Sequence, residues 1–175
     1  MKLVTASMML FLLGATLATA QWKKGDERAP DTPDRKSLNG FGAHLLIVEN
    51  PQAFIEEWKK PETPKINQAS EVKPGVLLGA FVLFAGCKPD AQGRCNSEVD
   101  YTVYKPDGTI YAEHKEQPLW KDPPPPPPNI QLSAAILGIR MEEKDPVGDY
   151  KVKARVTDLN AQISFELESK FRLIH

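Results

Sequence analysis

The sequence predicts an all-β protein in which antiparallel strands pack as a sandwich of two sheets. The clearest observation is the segment 150–157, where apolar and polar side chains alternate strictly, as in a strand with one face in the core and one in water. A second observation is that similar segments recur, separated by turn sequences such as Lys105-Pro106-Asp107-Gly108. The third is the segment 76–84, which is apolar on both alternations and therefore needs cover on both faces.

Residues 1–20 have the pattern of a secretory signal peptide. Lys2 precedes an apolar run from Leu3 to Leu17, and Ala18-Thr19-Ala20 matches an A-x-A cleavage site. The run is short for a membrane span, so we expect cleavage, export to the periplasm or beyond the cell, and no stable membrane insertion afterwards. An uncleaved anchor is the alternative.

The segment 21–39 is predicted to be a flexible tail. It is polar and charged, and Trp22 and Leu38 are its large apolar residues. Such a segment cannot bury enough surface to offset the entropy of ordering it.

Residues 40–60 are predicted to form an N-terminal strand and a short helix. The strand covers Phe41–Glu49, and Asn50-Pro51 provides a capping residue followed by a proline suited to the first helical turn. Three apolar side chains share one face of the helix: Phe54, Ile55 and Trp58. We expect the helix and the strand to cover the second face of 76–84.

Residues 61–175 are predicted to form the sandwich domain. From Pro64 the pattern gives seven strands, including one long strand over Ile130–Met141. The turn Gly148-Asp149-Tyr150 resembles the corner of immunoglobulin-like and macroglobulin-like sandwiches, in which the tyrosine hydroxyl binds nearby backbone. This resemblance implies a seven-stranded, immunoglobulin-like antiparallel sandwich.

The whole chain resembles an uncharacterised group of exported bacterial proteins. The shared skeleton is Phe-Gly, Trp, Gly-Cys, Pro-Asp-Gly, Leu-Trp and Asp-Pro-x-Gly-x-Tyr, in that order. The resemblance implies a fold and brings no activity with it. The sequence departs from antibody domains because Cys87 and Cys95 lie on one loop rather than on facing sheets.

Cys87 and Cys95 are predicted to form a disulfide. They are an even, closely spaced pair in a chain with an export signal. The metal alternative lacks support, because the intervening residues contain no histidine. We therefore predict no metal site and no cofactor.

No catalytic residues are predicted. A triad could be drawn from Ser133 or Ser164 with one of the histidines, but no nucleophile-elbow motif supports it. The histidines outside the signal segment are His44, His114 and His175.

Four acidic residues crowd the turn before the alternating strand: Glu142, Glu143, Asp145 and Asp149. Carboxylate oxygens suit calcium, although the spacing matches no known calcium loop. Acids that face water or cap turns are the alternative.

The candidate partner-binding segment begins at Trp120. It continues with six consecutive prolines, which are Pro123, Pro124, Pro125, Pro126, Pro127 and Pro128. Such a run forms polyproline II, which can be a ligand for an aromatic groove. The alternative is a stiff connection that protects a sheet edge.

These observations predict a non-catalytic exported module that binds another envelope or secreted protein. A net charge of −1 gives no reason to expect nucleic acid as a partner. Two alternatives remain: a hydrolase with an unrecognised site, and an inhibitor or immunity-like protein that acts through the Cys87–Cys95 loop.

Overall fold

A computed structural model describes residues 22–24, 27–62, 64–126 and 129–175. The predicted signal peptide lies outside the described residues, as do Pro127 and Pro128. Within the described ranges, no helix is long and apolar enough to span a membrane.

Two five-stranded sheets form the sandwich, which confirms the predicted all-β fold class. The first sheet contains β3 (Arg35–Leu38), β4 (Phe41–Glu49), β6 (Leu77–Ala85), β9 (Gln131–Leu132) and β10 (Leu137–Arg140). The second contains β5 (Glu71–Val72), β7 (Ser97–Tyr104), β8 (Ile110–Trp120), β11 (Gly148–Asp158) and β12 (Ile163–Leu173). A separate ribbon pairs β1 (Lys23–Lys24) with β2 (Glu27–Arg28), and helix α1 covers Pro51–Trp58.

The strand order is β10-β6-β4-β3 in the first sheet, with β9 also paired to β6, and β5-β12-β11-β7-β8 in the second. The described pairs are antiparallel apart from β5 with β12, which is parallel. The main core lies between the sheets, and β11 contributes Tyr150, Val152, Ala154 and Val156, all fully buried. The predicted alternation of this strand is confirmed.

The tyrosine corner is present at the start of β11. The Tyr150 hydroxyl donates a hydrogen bond of 2.9 Å to the backbone oxygen of Pro146, and its ring stacks on Phe171 at 5.4 Å. Gly148 has φ 133°, and a Cβ there would lie 3.0 Å from the Pro106 side chain. The corner therefore requires glycine at this position for both backbone conformation and space.

Helix α1 packs on the outer face of the first sheet, as the sequence predicts. Phe54 is buried against Phe81 of β6, with ring centroids 4.9 Å apart. Asn50 caps the helix by accepting a hydrogen bond from the Ala53 amide. At Gly79 a Cβ would lie 2.6 Å from the Pro51 side chain, so the helix approaches β6 closely.

The expected role of the N-terminal strand as cover was wrong. β4 pairs with β6 edge to edge over Gly42–Glu49, so it extends the first sheet instead of lying across it. The helix then covers both strands through a second apolar cluster, whose buried members are Leu46, Val48, Phe54, Phe81 and Leu83. An apolar strand needs hydrogen-bonded neighbours at its edges as well as side-chain cover on its faces. β4 supplies the first of these and α1 the second.

The predicted flexible tail is also corrected. Arg35–Leu38 form strand β3, which pairs with β4 along the edge of the first sheet. The Trp22 indole donates a hydrogen bond of 3.1 Å to the backbone oxygen of Lys36. Backbone hydrogen bonds order this polar segment, and a prediction from apolar burial alone does not account for them.

The long strand predicted over Ile130–Met141 is two short strands, β9 and β10. Between them the Ser133 amide donates to the backbone oxygen of Val82 in the first sheet, and the Val82 amide donates to the Ser133 hydroxyl. The Ala134 amide then donates to the oxygen of Leu119 in the second sheet. The chain bonds to the second sheet at Ala134 and Ala135 and then returns to β6 as β10, which divides the strand. The residues from Pro64 onward therefore form eight strands within the described ranges rather than seven.

We expect Tyr150→Phe to lower the free energy of unfolding by about 1–2 kcal/mol, because the Pro146 oxygen loses its hydroxyl donor. Urea denaturation would measure the loss. An unchanged transition midpoint would show that the corner hydrogen bond contributes nothing to stability.

Phe54→Ala should cost about 3 kcal/mol, because it leaves a cavity against Phe81. Trp58→Ala should cost less, because Trp58 is only partly buried. Paired urea titrations of the two variants would test this order, and a larger loss from Trp58→Ala would contradict the packing of α1.

Candidate functional site

The predicted partner-binding segment lies at the end of the sandwich opposite the tyrosine corner. β11 ends at Asp158, β7 begins at Ser97 and β8 ends at Trp120, all at this end. Three loops therefore meet: the disulfide loop 86–96, the proline segment 121–126, and the turn 159–162. We call these three loops the disulfide end.

The Cys87–Cys95 disulfide is confirmed, with Cα atoms 5.8 Å apart. Both cysteines are buried and belong to the main core. Asp90 organises the exposed part of the loop, because its carboxylate accepts hydrogen bonds of 2.9 Å from the amides of Gln92 and Arg94. The loop is thus closed by a covalent bond and by its own side-chain contacts.

Asp158 joins the disulfide loop to the turn after β11. It is fully buried, and its carboxylate accepts hydrogen bonds from the amides of Lys88, Asn160 and Ala161 at 2.7, 3.1 and 3.2 Å. The Asn160 side chain donates in turn to the backbone oxygens of Lys88 and Arg94. Sequence reasoning missed this group. The signal that could have found it is the position of Asp158, because the alternation of β11 places that side chain on the buried face.

The proline segment is attached to the disulfide loop. The Cys95 amide donates a hydrogen bond of 3.0 Å to the oxygen of Asp122, and Arg94 Nε donates at 3.0 Å to the oxygen of Lys121. The Arg94 guanidinium also pairs with the Asp122 carboxylate at 3.3 Å. That ion pair is exposed, so the backbone contacts carry most of the attachment.

Trp120 connects the core to the proline segment. Its ring lies 5.8 Å from the Phe84 ring, and its indole donates a hydrogen bond of 3.0 Å to the oxygen of Pro123. The tryptophan is therefore half-buried and positions the start of the segment. Pro123 and Pro126 are exposed, whereas Pro124 and Pro125 are partly covered.

His44, Ser133 and Ser164, which could belong to a catalytic triad, each bond to other groups. His44 contacts Asp34 at 3.2 Å, and burial lowers the pKa of His44 although Asp34 opposes the shift. The Ser133 hydroxyl bonds to the backbone of Val82 and Ala135, and Ser164 bonds to Thr157. Within the described residues, neither serine hydroxyl bonds to a histidine.

Two of the corner acids, Asp145 and Asp149, have side-chain partners within the protein. Asp145 accepts hydrogen bonds from the Tyr111 hydroxyl at 2.8 Å and the Glu142 amide at 2.7 Å. Burial, together with the bond to Asp145, raises the pKa of Tyr111 to about 12. Asp149 pairs with Arg172 through two contacts of 2.6 and 3.1 Å.

Over the described ranges, no group of three or more His, Cys, Asp or Glu side chains is placed to hold a metal ion.

Comparison with known proteins gives no family. No family model matches the chain, and no curated protein matches its sequence. Solved structures that it resembles include a family 123 glycoside hydrolase from Clostridium perfringens, with 12% identity, 76% of this chain covered and a TM-score of 0.41. The chain spans only 27% of the length of that hydrolase.

Two further similar structures are smaller. One is the CARDB domain of a Pyrococcus furiosus protein, in complex with di-metal ions, at 12% identity over 83% of this chain and 99% of that domain, with a TM-score of 0.38. The other is an immunoglobulin-like protein from Pseudomonas aeruginosa, at 14% identity over 74% of this chain and 91% of that protein, with a TM-score of 0.34. These low scores carry no argument about function.

Replacing both Cys87 and Cys95 by alanine should lower the free energy of unfolding by roughly 2–3 kcal/mol, because the short covalent loop no longer restricts the unfolded chain. Urea denaturation of the double variant beside the oxidised protein would measure this. If the two unfold at the same denaturant concentration, the hydrogen bonds of the loop hold it without a contribution from the disulfide.

Proposed function

We propose that this chain is a non-catalytic β-sandwich module, exported to the periplasm or beyond the cell, that binds another envelope or secreted protein through the disulfide end. The observation that carries the proposal is the joining of the disulfide loop to the proline segment by Arg94 and Cys95, with Trp120 fixing the start of the prolines. This joining makes one ordered surface from two loops that are far apart in sequence.

An ordered surface favours binding because little conformational entropy is lost when a partner docks. The disulfide, the buried Asp158 carboxylate and the stiffness of consecutive prolines each restrict this end of the sandwich. The prolines of this segment lack amide hydrogens, so a partner would contact their side chains and their carbonyl oxygens.

The disulfide end also offers apolar surface to a partner. Leu159 is 42% exposed, and its amide bonds to the oxygen of Asn96 beside the disulfide loop. Pro123 and Pro126 are exposed on the adjoining segment. Apolar groups surrounded by charged side chains such as Arg94 and Asp122 have the arrangement of a protein-binding patch.

The inhibitor hypothesis would use the same surface, because the disulfide loop and the proline segment are held together there. The two roles differ in what happens to the partner. An inhibitor would abolish the activity of the protein it captures, whereas an accessory module would leave that activity in place.

We would test the proposal with the exported protein, purified from the envelope or medium, as bait for envelope extract. Leu159→Ser should reduce capture of a partner about tenfold or more, because it removes an apolar contact from the patch. Ile110→Ser is the matched control, because Ile110 is 53% exposed near the opposite end of the sandwich.

A second variant replaces Pro123–Pro128 with a Gly/Ser segment of equal length and should also lose capture. Melting temperatures would show that each variant remains folded. Equal capture by the wild type, Leu159→Ser and the Gly/Ser variant would overturn the proposal, as would recovery of the protein only from the cytoplasm.

A further inference from the structure

A groove rich in lysine lies at the opposite end from the disulfide end, on the outer face of the second sheet. Its volume is about 410 Å³, within the range of small-molecule sites. We call it the lysine groove, and its lining residues are Tyr104, Lys105, Pro106, Gly108, Asp149, Lys151, Lys153 and Lys170.

Sheet register brings the lysines together. Lys151 of β11 lies opposite Lys170 of β12 on one side and opposite Tyr104 of β7 on the other. Lys105 follows Tyr104 in the β7–β8 turn, which is closed by a hydrogen bond of 2.9 Å from the Gly108 amide to the Lys105 oxygen. The cationic side chains thus come from two strands, β11 and β12, and one ordered turn.

Three carboxylates beside the groove already pair with basic side chains. Asp149 is engaged by Arg172, and Glu166 is engaged by Lys153 at 2.7 Å. Glu168 is shared between Lys151 and Lys170 at 3.5 and 3.6 Å, which are long contacts. Among the described residues Lys105 has no ion pair, although the carboxylate of Asp107 lies near it and that of Asp149 also acts on Lys170. Four lysines and one aspartate line the groove, so its lining is positively charged.

We propose that the lysine groove binds a small ligand that carries a phosphate or sulfate group. A tetrahedral oxyanion can accept hydrogen bonds from ammonium groups that approach from different directions, which suits lysine as a compact charge. Tyr104 and Pro106 supply apolar surface for the rest of the ligand. This site is independent of the protein-binding surface at the disulfide end.

Isothermal titration of the folded protein at constant ionic strength tests the site, with inorganic phosphate and inorganic sulfate as probes and chloride as the reference anion. We expect saturable binding of at least one oxyanion. Lys105→Gln and Lys151→Gln should each weaken it roughly three- to tenfold, because each removes one charged contact. A preference for phosphate or for sulfate would identify which group the natural ligand carries.

Two further variants make the test specific. Glu168→Gln should tighten binding about threefold, because it frees Lys151 and Lys170 from their shared carboxylate. Lys65→Gln, an exposed lysine outside the groove, should leave affinity unchanged. No saturable binding by the wild type, or equal affinity in all five proteins, would overturn the proposal.

Discussion

The two apolar faces of β6 are the constraint on which the rest of the structure depends. One face belongs to the main core, and the other forms a second cluster in which Phe81 contacts Phe54 of α1. A strand with both faces apolar is unstable at an open surface, so the chain must supply a helix for the outside and a neighbour for each edge. β4 and β10 occupy those edges, and Gly79 removes the side chain that would keep the helix away. An eight-residue helix has little stability of its own, so α1 and β6 depend on each other.

Strand β11 of the second sheet runs from one end of the sandwich to the other. β11 and β12 pair over eleven residues, from Gly148 with Leu173 to Asp158 with Ile163, so the corner and the disulfide end lie at opposite ends of one continuous strand. At one end Tyr150 attaches the chain to the oxygen of Pro146. At the other, Asp158 attaches it to the disulfide loop. Both attachments join side chains on this strand to loop backbone, and this leaves the loops ordered without regular secondary structure.

Much of the fold could be predicted from the sequence because its signals are local. The alternation after Gly148, the cap at Asn50 and the short spacing of Cys87 and Cys95 each depend on neighbours in the chain, and each prediction is confirmed. Strand β3 and the contact of Ala134 and Ala135 with the second sheet could not be predicted, since they depend on backbone hydrogen bonds to distant strands. Backbone bonding leaves little trace in side-chain pattern. The same reason explains the candidate site: the sequence indicates Trp120 and the prolines, but their attachment to the disulfide loop is a tertiary contact.

The position of Trp120 changes how the proposed recognition at the disulfide end should be understood. An exposed tryptophan would act as an anchor that a partner buries, but the Trp120 ring already packs near Phe84 and its indole already donates to Pro123. Removing it would release the proline segment from the core, so lost binding would follow even without a direct contact. Leu159 is different, because its exposed side chain has no such internal role, although its backbone joins the disulfide loop. Trp120 therefore orders the surface, while Leu159 and the exposed prolines are the groups that the proposed partner would contact.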